Sequence, residues 1–562
     1  MPSRQNPSWI QFVDDVPYGF TAAWVHNIGK APEHQTVGDR TTYSIAGWIF
    51  WSFPASIRRL SAMLFKSFIL TGVLSTSIFA QTSIYDFFTT TWDRGSLFAY
   101  KNLGSSPLTW STGVPAGSAV INVNKATVYQ TMDGFGATLT DSSAQLMYNM
   151  KVANAQNYWD LLGYLFDSER YALLPVTCSC ILNEATIVFC DFSPSAYNWD
   201  NTSGDTALSS FSAGSTPSYV WTVLTDIIGI QPSIKLYALP WSPPGWMKSS
   251  GSMDGGSLNS AYYTVYANYL LKAVQAFKTK GYTLYALSLQ NEPLNSDGTY
   301  PTSLLTSAVA ATVGATLRTL LNNNGFSAVK LLGYEHNWDN TAYPEDVLSK
   351  AGSSFAGVSW HCYAGANTAM TTVHNAYPNA EVHFTECSGT LGSDWWSDIK
   401  WDMNTLVNGG PNNWARTVMT WALALDASGN PKLPGTDSCG GAGCRGVVTI
   451  ANNAWTVNQE FYSLAQGSRA ILPKDAGGPW GQRISTTVTG SQAGQLVVTG
   501  YVTKRKVATD WPRYSLVVLN WNDGGTAGWN PQPVPATINF NGVTASYTFP
   551  VGVTTLWWYN ST

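Results

Sequence analysis

Two β-prone runs in this chain each stop at a glutamate: Leu-Tyr-Ala-Leu-Ser-Leu-Gln-Asn-Glu ending at Glu292, and Glu-Val-His-Phe-Thr-Glu ending at Glu386. Loop chemistry follows both, Pro293 after the first and Cys387-Ser388-Gly389 after the second. Parallel barrels place their catalytic groups at the C-terminal ends of strands. Two carboxylates facing one cleft are the usual equipment for cutting a glycosidic bond. The 94 residues between Glu292 and Glu386 amount to about three βα units at the roughly 31 residues per unit of a ~250-residue, eight-unit barrel. Either glutamate alone reads equally well as an ordinary strand-end acid. Together, in a chain rich in aromatic residues, they point to a glycosidase.

The neighbouring residues extend that reading. Asn291 directly precedes Glu292, and an amide there can hydrogen-bond a sugar 2-hydroxyl, a contact that strengthens as an oxocarbenium-like transition state forms. The stretch Tyr237-Ala-Leu-Pro-Trp-Ser-Pro-Pro-Gly-Trp-Met-Lys248 follows another candidate strand, its prolines stiffening a loop that presents Trp241. In Ser359-Trp-His-Cys-Tyr363, His361 can hydrogen-bond a carboxylate or a sugar, or equally be a core histidine. Tyr363 can orient Glu386 through its hydroxyl, or simply pack. Trp421, assigned to the last barrel strand, is either the floor of a sugar subsite or barrel filling. Gly333-Tyr-Glu-His-Asn-Trp-Asp339 reads as one cleft-lining loop, in which Glu335 and Asp339 are the rivals to the two chosen glutamates.

The elements needed to position these groups can be traced along the chain. Between about residues 130 and 467, β-type runs alternate with longer amphipathic stretches, as in βαβ units. Candidate barrel strands are Ile234–Leu239, Leu284–Gln290, Val329–Gly333, Phe355–His361, Glu381–Thr385 and Arg416–Leu423. Ser260–Lys278, with Gly281 just beyond its end, and Ser303–Leu321 read as helices. Residues 81–129 read as short N-terminal strands. From 468 to 562, strands such as Gln495–Val502 and Tyr514–Asn520 alternate with Gly/Asn/Pro turns, as in an all-β sandwich.

Composition narrows the ligand. Charged residues are 11% of the 562, aromatics 13%, with 25 Trp and 28 Tyr. Aromatic platforms and uncharged hydrogen-bonding groups suit a neutral sugar. A net charge of −4 without basic clusters argues against nucleic acid. Met63–Ala80 has a lysine, an apolar stretch and a small residue before Gln81, the pattern of a secretory signal. It begins at an internal methionine, so translation is expected to start at Met63, with residues 1–62 a wrongly assigned leader. A secreted monomer without stable membrane association is expected. Among seven cysteines, Cys439 and Cys444 flank a glycine-rich loop and can form a small disulfide in an oxidising compartment. Cys362 and Cys387 lie near the proposed site. With six histidines and no paired C-x-x-C arrangement, neither a metal nor a cofactor is expected.

Five ordered motifs carry a resemblance: Asp133-Gly-Phe-Gly-Ala-Thr-Leu-Thr-Asp141, Leu239-Pro-Trp-Ser-Pro-Pro-Gly-Trp-Met-Lys248, Gln290-Asn-Glu-Pro293, Gly333-Tyr-Glu-His-Asn-Trp-Asp339 and Phe384-Thr-Glu-Cys-Ser-Gly389. Over roughly residues 90–562 the chain resembles glycoside hydrolase family 30, which includes glucosylceramidases, and looks closest to its fungal endo-β-1,6-glucanases. The resemblance implies a (β/α)8 TIM barrel with a C-terminal β-sandwich that also takes strands from the segment before the barrel. It implies a retaining mechanism on a β-glucan or glucoside, with Glu292 as acid/base and Glu386 as nucleophile. Asp141, Trp241, Asn291, Tyr363 and Trp421 then fall on sugar-binding positions, and His361 joins them as a substrate-binding candidate from its own chemistry. The acid/base is expected to have a raised pKa in the free enzyme, from burial or its negative neighbour.

One segment departs from the pattern. Where relatives resemble a compact second strand, Leu-Leu-Arg followed shortly by Asp-Phe-Ser, this chain has Pro175 near the arginine's place and about eight extra residues before Asp191-Phe-Ser193. Three of the cysteines fall there. The expectation is an intron read through, or a frame error, that breaks the second barrel strand. The alternative is a genuine variant strand in which Arg170 substitutes. In either case the activity of this polypeptide is in question, and a catalytically impaired carbohydrate-binding protein stands beside the enzyme reading.

Overall fold

A computed structural model describes residues 83–113, 117–167, 195–436, 439–525 and 528–560, with the backbone of 184–185. The expected leader, the signal segment, Arg170, Pro175 and Asp191–Ser193 lie outside the described residues. Eight strands close into a parallel barrel: β1 Gly134–Leu139, β2 Glu184–Ala185, β3 Leu236–Ala238, β4 Leu284–Ser288, β5 Lys330–Trp338, β6 Gly357–Gly365, β7 Glu381–Glu386 and β8 Ala415–Thr420. Each pairs with its neighbours in chain order, and β8 returns to β1 through Met419↔Gly136. The second position is held by two residues, Glu184 pairing with Thr138 and Tyr237, and Ala185 pairing with Leu139.

Helices cover the barrel where the apolar spacing is helical. Over Tyr263–Thr279 (α1 here), Tyr266, Leu270, Ala273, Val274 and Phe277 are buried on one side, a stripe with near-3.6 periodicity. That helix stops where Gly281 takes φ +93 and the chain turns back, Tyr282 N–H donating to the Phe277 carbonyl at 2.9 Å. A left-handed glycine just past the end is the common way to satisfy the last carbonyls. Gly333–Asp339, expected to be a loop, instead belongs to β5 through Trp338. The strand is bulged between Tyr334 and His336, and Tyr334 and Glu335 take φ of +76 and +55. An extra residue on one strand re-aims the side chains around it, which is how this polar stretch can remain in the sheet.

The N-terminal mouth of the barrel is filled by charge. Asp133 accepts from Lys235 Nζ (2.6 Å), Tyr285 Oη (2.9 Å) and Arg416 Nε (3.1 Å). Glu381 pairs with Lys330 (2.7 Å), Arg416 (2.8 Å) and His383 (3.2 Å). These groups come from or beside β1, β3, β4, β5, β7 and β8, so one network ties most of the barrel at its base.

Most of the remaining strands form, beside two two-stranded sheets and one three-stranded sheet, one nine-stranded sheet. Its order runs Val543–Phe549, Val534–Phe540, Ala119–Thr131, Gln482–Thr489, Leu496–Thr503, Arg513–Asn520, Gly552–Tyr559, Asp86–Thr91, Ala99–Asn102. Alternation along the strands separates its two faces. Phe87, Leu516, Val518 and Trp558 enter the sheet's own core, whereas Phe88, Val517, Leu519 and Trp557 join the barrel core. Phe540 and Trp558, far apart in sheet order, have ring centroids 5.2 Å apart, so the sheet folds over on itself as a sandwich does. Its other face docks on the helix Gln459–Ile471 (α2 here). Across that junction Gln466 Nε2 donates to Thr90 Oγ1 (3.0 Å) and Ser515 Oγ donates to the Ala470 carbonyl (2.7 Å).

Candidate active site

Glu292 lies four residues beyond the end of β4 and Glu386 is the last residue of β7, the fourth and seventh barrel strands. The β4 extension is held by its backbone: Asn291 N–H donates to the Pro240 carbonyl at 2.7 Å and Glu292 N–H to the Glu335 carbonyl at 3.0 Å. Glu292 takes φ +43, an uncommon conformation for a non-glycine residue, and its carbonyl accepts from Asn295 N–H at 2.8 Å. The turn brings Asn295 round so that its Nδ2 donates to Glu292 Oε2 at 3.2 Å.

His361 on β6 is fully buried between three carboxylates. Its Nδ1 is 3.2 Å from Glu292 Oε1 and 3.8 Å from Glu386 Oε1, and its Nε2 is 3.4 Å from Glu335 Oε2. Glu335 is itself buried and accepts hydrogen bonds from the Ser288 and Thr385 hydroxyls, whereas Asp339 is exposed. Tyr363, two residues beyond His361, donates its hydroxyl to Glu386 Oε1 at 3.0 Å. One donor atom each from Glu292, His361 and Glu386 lie within 4.8 Å of one another, a spacing at which these residues could also share a cation.

A cavity of about 260 Å³ opens on the pair, lined by Trp241, Asn291, Glu292, Tyr363, Glu386 and Trp421 among others. Trp241 and Trp421 form one apolar wall, ring centroids 5.1 Å apart and tilted by 35°. Trp421 lies just past β8, and its N–H donates to the Cys387 carbonyl at 2.8 Å. The loop bearing Trp241 is anchored by buried Lys248, whose Nζ donates to Ser242 Oγ (2.9 Å) and to the Thr302 (2.6 Å) and Met253 carbonyls. Burial pulls that ammonium down to about 7. Asn291 Oδ1 is buried without a hydrogen-bond partner among the described residues, an acceptor left for something in the cavity.

The structure gathers Trp241, Asn291, Glu292, Tyr363, Glu386 and Trp421 at this cavity. His361 lies behind the two acids rather than on the lining, and Asp141 is not among the lining residues. Asp141 is buried at the first turn of the helix after β1, where its charge and hydrogen bond, added to burial, hold the Tyr197 phenol well above its usual range. Not legible as supports were Asn295, Tyr300, whose hydroxyl accepts from Asn295 Nδ2 at 2.9 Å, and Lys248. An asparagine three residues after Glu292, in a Leu-Asn-Ser-Asp-Gly turn, was the available signal for the first.

The electrostatics correct one expectation. Burial alone would raise the Glu292 carboxyl, but the hydrogen bond and charge of His361 outweigh it and hold the group below its ordinary value. Burial likewise opposes charge on His361, yet the Glu386 charge, the hydrogen bond to Glu292 and the nearby Glu335 carboxylate lift it well above the usual imidazole range. Charge on the imidazole and on the carboxylates around it is thus mutually favoured.

The profile of the glycosyl hydrolase family 30 TIM-barrel domain matches residues 132–471. The chain belongs to that family. It is a glycosidase with a (β/α)8 barrel. It is 34% identical to the endo-1,6-beta-D-glucanase of Neurospora crassa over 60% of this chain and 70% of that one. Against the lysosomal acid glucosylceramidase of Mus musculus it is 25% identical, over 61% and 68%. The solved structure of an endo-beta1,6-glucanase superposes with a TM-score of 0.71 at 27% identity, covering 85% of this chain and 99% of that one.

Proposed function

We propose that this family 30 glycosidase is a secreted endo-β-1,6-glucanase that works with retention of configuration. The carrying observation is the pair Glu292 and Glu386 on one cavity, with donor oxygens within 4.8 Å. Direct attack needs carboxyls about 5–5.5 Å apart, whereas inversion needs about 6.5–9.5 Å to admit a water. Glu386 attacks the anomeric carbon, its lone pair steered by the Tyr363 hydroxyl. Glu292 protonates the leaving oxygen, then deprotonates the water that releases the glycosyl-enzyme. The proton that Glu292 donates comes from His361 across their 3.2 Å hydrogen bond, drawn over as the leaving oxygen gains charge. Trp241 and Trp421 present an apolar face to the sugar ring, and Asn291 holds a hydroxyl.

The β-1,6 linkage is supported by the higher identity to the Neurospora glucanase than to the glucosylceramidase. Secretion is supported by the disulfides Cys362–Cys387 and Cys439–Cys444, which persist in oxidising compartments. Among the described residues no helix is long and apolar enough to cross a membrane. The test is a substrate panel: purified protein should release reducing ends from pustulan, a β-1,6-glucan, with short oligosaccharides accumulating and the first-formed product in the β configuration. Cleavage of glucosylceramide but not pustulan, binding of pustulan without hydrolysis, or an α product would each overturn this reading.

A further inference from the structure

His361 on β6 and Glu386 on β7 are register partners, and with them the recorded pairing of the two strands ends. One residue further along each strand stand Cys362 and Cys387, joined by a disulfide with their Cα atoms 5.3 Å apart. Next on β6 comes Tyr363, whose hydroxyl reaches back to Glu386 at 3.0 Å. Beyond this level β6 turns toward its other neighbour: Tyr363 N–H donates to Asn337 Oδ1 at 2.9 Å and Gly365 pairs with Trp338 of β5. Tyr363 is 46% exposed. A covalent bridge therefore spans β6 and β7 where their ladder stops and β6 veers away. The two residues that exchange the hydrogen bond are each bonded directly to a bridged cysteine.

We propose that the Cys362–Cys387 disulfide is a positioning element for the reaction, holding the Tyr363 hydroxyl against Glu386 so that the carboxylate is presented in line with the anomeric carbon. This rests on the reading of Glu386 as nucleophile. A displacement of about 1 Å in a reacting group costs on the order of a hundredfold in rate, and the bridge limits such a displacement between these two strand ends. A purely architectural staple would contribute to stability alone. Loss of stability on removing the bridge is common to both cases, so the discriminating readouts are kinetic.

The experiment is a double-mutant cycle on the full chain with C362A/C387A, Y363F and the triple variant, assayed on pustulan well below each unfolding temperature. The disulfide-free enzyme should lose about 10- to 100-fold in kcat with KM changed by less than about threefold. Y363F should lose a similar factor, and the triple variant should be no slower than the worse of the two, because both changes release one contact. Multiplying effects, or full kcat without the bridge, overturn the proposal. If C362A/C387A does not fold, the folded wild type is assayed in dithiothreitol. The dithiol supplies two electrons and two protons, leaving Cys362 and Cys387 as thiols and itself a cyclic disulfide; maleimide labelling and mass spectrometry of an aliquot identify the open bridge. The same kcat loss is expected with Cys362–Cys387 open, and full kcat in that state overturns the proposal. A 2-deoxy-2-fluoro-β-glucosyl fluoride separates the two readings. Labelling of wild type at a residue other than Glu386 refutes the nucleophile assignment, and with it the proposal built on it. Labelling of Glu386 at equal rates with and without the bridge leaves that assignment standing and refutes the positioning role.

Discussion

A single imidazole, His361, stands within 3.8 Å of three carboxylates, Glu292, Glu335 and Glu386. Removing Glu386 as E386A should cut turnover by at least about four orders of magnitude, as loss of a nucleophile does elsewhere. Sodium azide should restore product with inverted anomeric configuration. An E386A enzyme with wild-type turnover would end the assignment. In H361Q the charge that holds Glu292 down is gone, and the acid's proton is retained by burial and by Glu386 alone. The alkaline limb of kcat/KM should then move to lower pH than in wild type, where His361 keeps the proton well above the usual imidazole range; a limb that stays in place would argue that His361 holds no catalytic proton. Glu292, Glu386 and Trp241 were legible because each stands beside a Pro or Cys at the end of an apolar run, Asn291 because it precedes Glu292, and Trp421 because it lies in the last β-type run of the barrel. The charge balance around His361 was not legible. It depends on Glu335 arriving beneath His361 from β5, and no local pattern announces a contact between strands.

At the scale of elements, the barrel was legible from repeating β-type runs and amphipathic stretches, and the α1 stripe with its terminal glycine is a clear instance. β5 was cut short at Gly333 because a glycine followed by polar residues looks like a turn. The bulge at Tyr334 and Glu335 lets those polar residues stay in the sheet instead. In α2, Gly467 marks an approach that sequence cannot weigh. A Cβ there would stand 2.6 Å from Val407 Cγ1 and 2.8 Å from the Phe135 ring. Helix propensity alone favours G467A by about 1 kcal/mol, but overpacking a close-packed core costs about 1–3 kcal/mol. The net expectation is a destabilisation of up to about 2 kcal/mol in denaturant unfolding. A stabilised G467A would show that α2 can move away from β1 without loss.

Over the whole molecule, the charged base of the barrel sets its tolerance of acid. Burial would raise the Glu381 carboxyl, but the His383 hydrogen bond and charge, joined by Arg416 and Lys330, pull it down to about 2. Its folded value lies below its unfolded one, so its stabilisation is complete above the ordinary carboxylate range and is lost as pH falls toward 2. From this group alone the loss approaches about 3 kcal/mol. E381Q should be less stable than wild type at neutral pH, and its unfolding free energy should vary less between about pH 4.5 and 2. Parallel pH dependences would show that the network does not couple acid to unfolding.

The strand Asp86–Thr91 lies between Ala99–Asn102 and Gly552–Tyr559, its partner on one side coming from the last few residues described. A growing polypeptide can therefore complete the eight staves of its barrel while Phe88 still lacks the neighbour that seats it, because that neighbour begins 132 positions after the last barrel strand ends at Thr420. Closure of the sheet over the barrel is deferred until Gly552–Tyr559 has been made. A product truncated before residue 552 would keep both cavity glutamates and yet leave a long, apolar strand edge open to other chains.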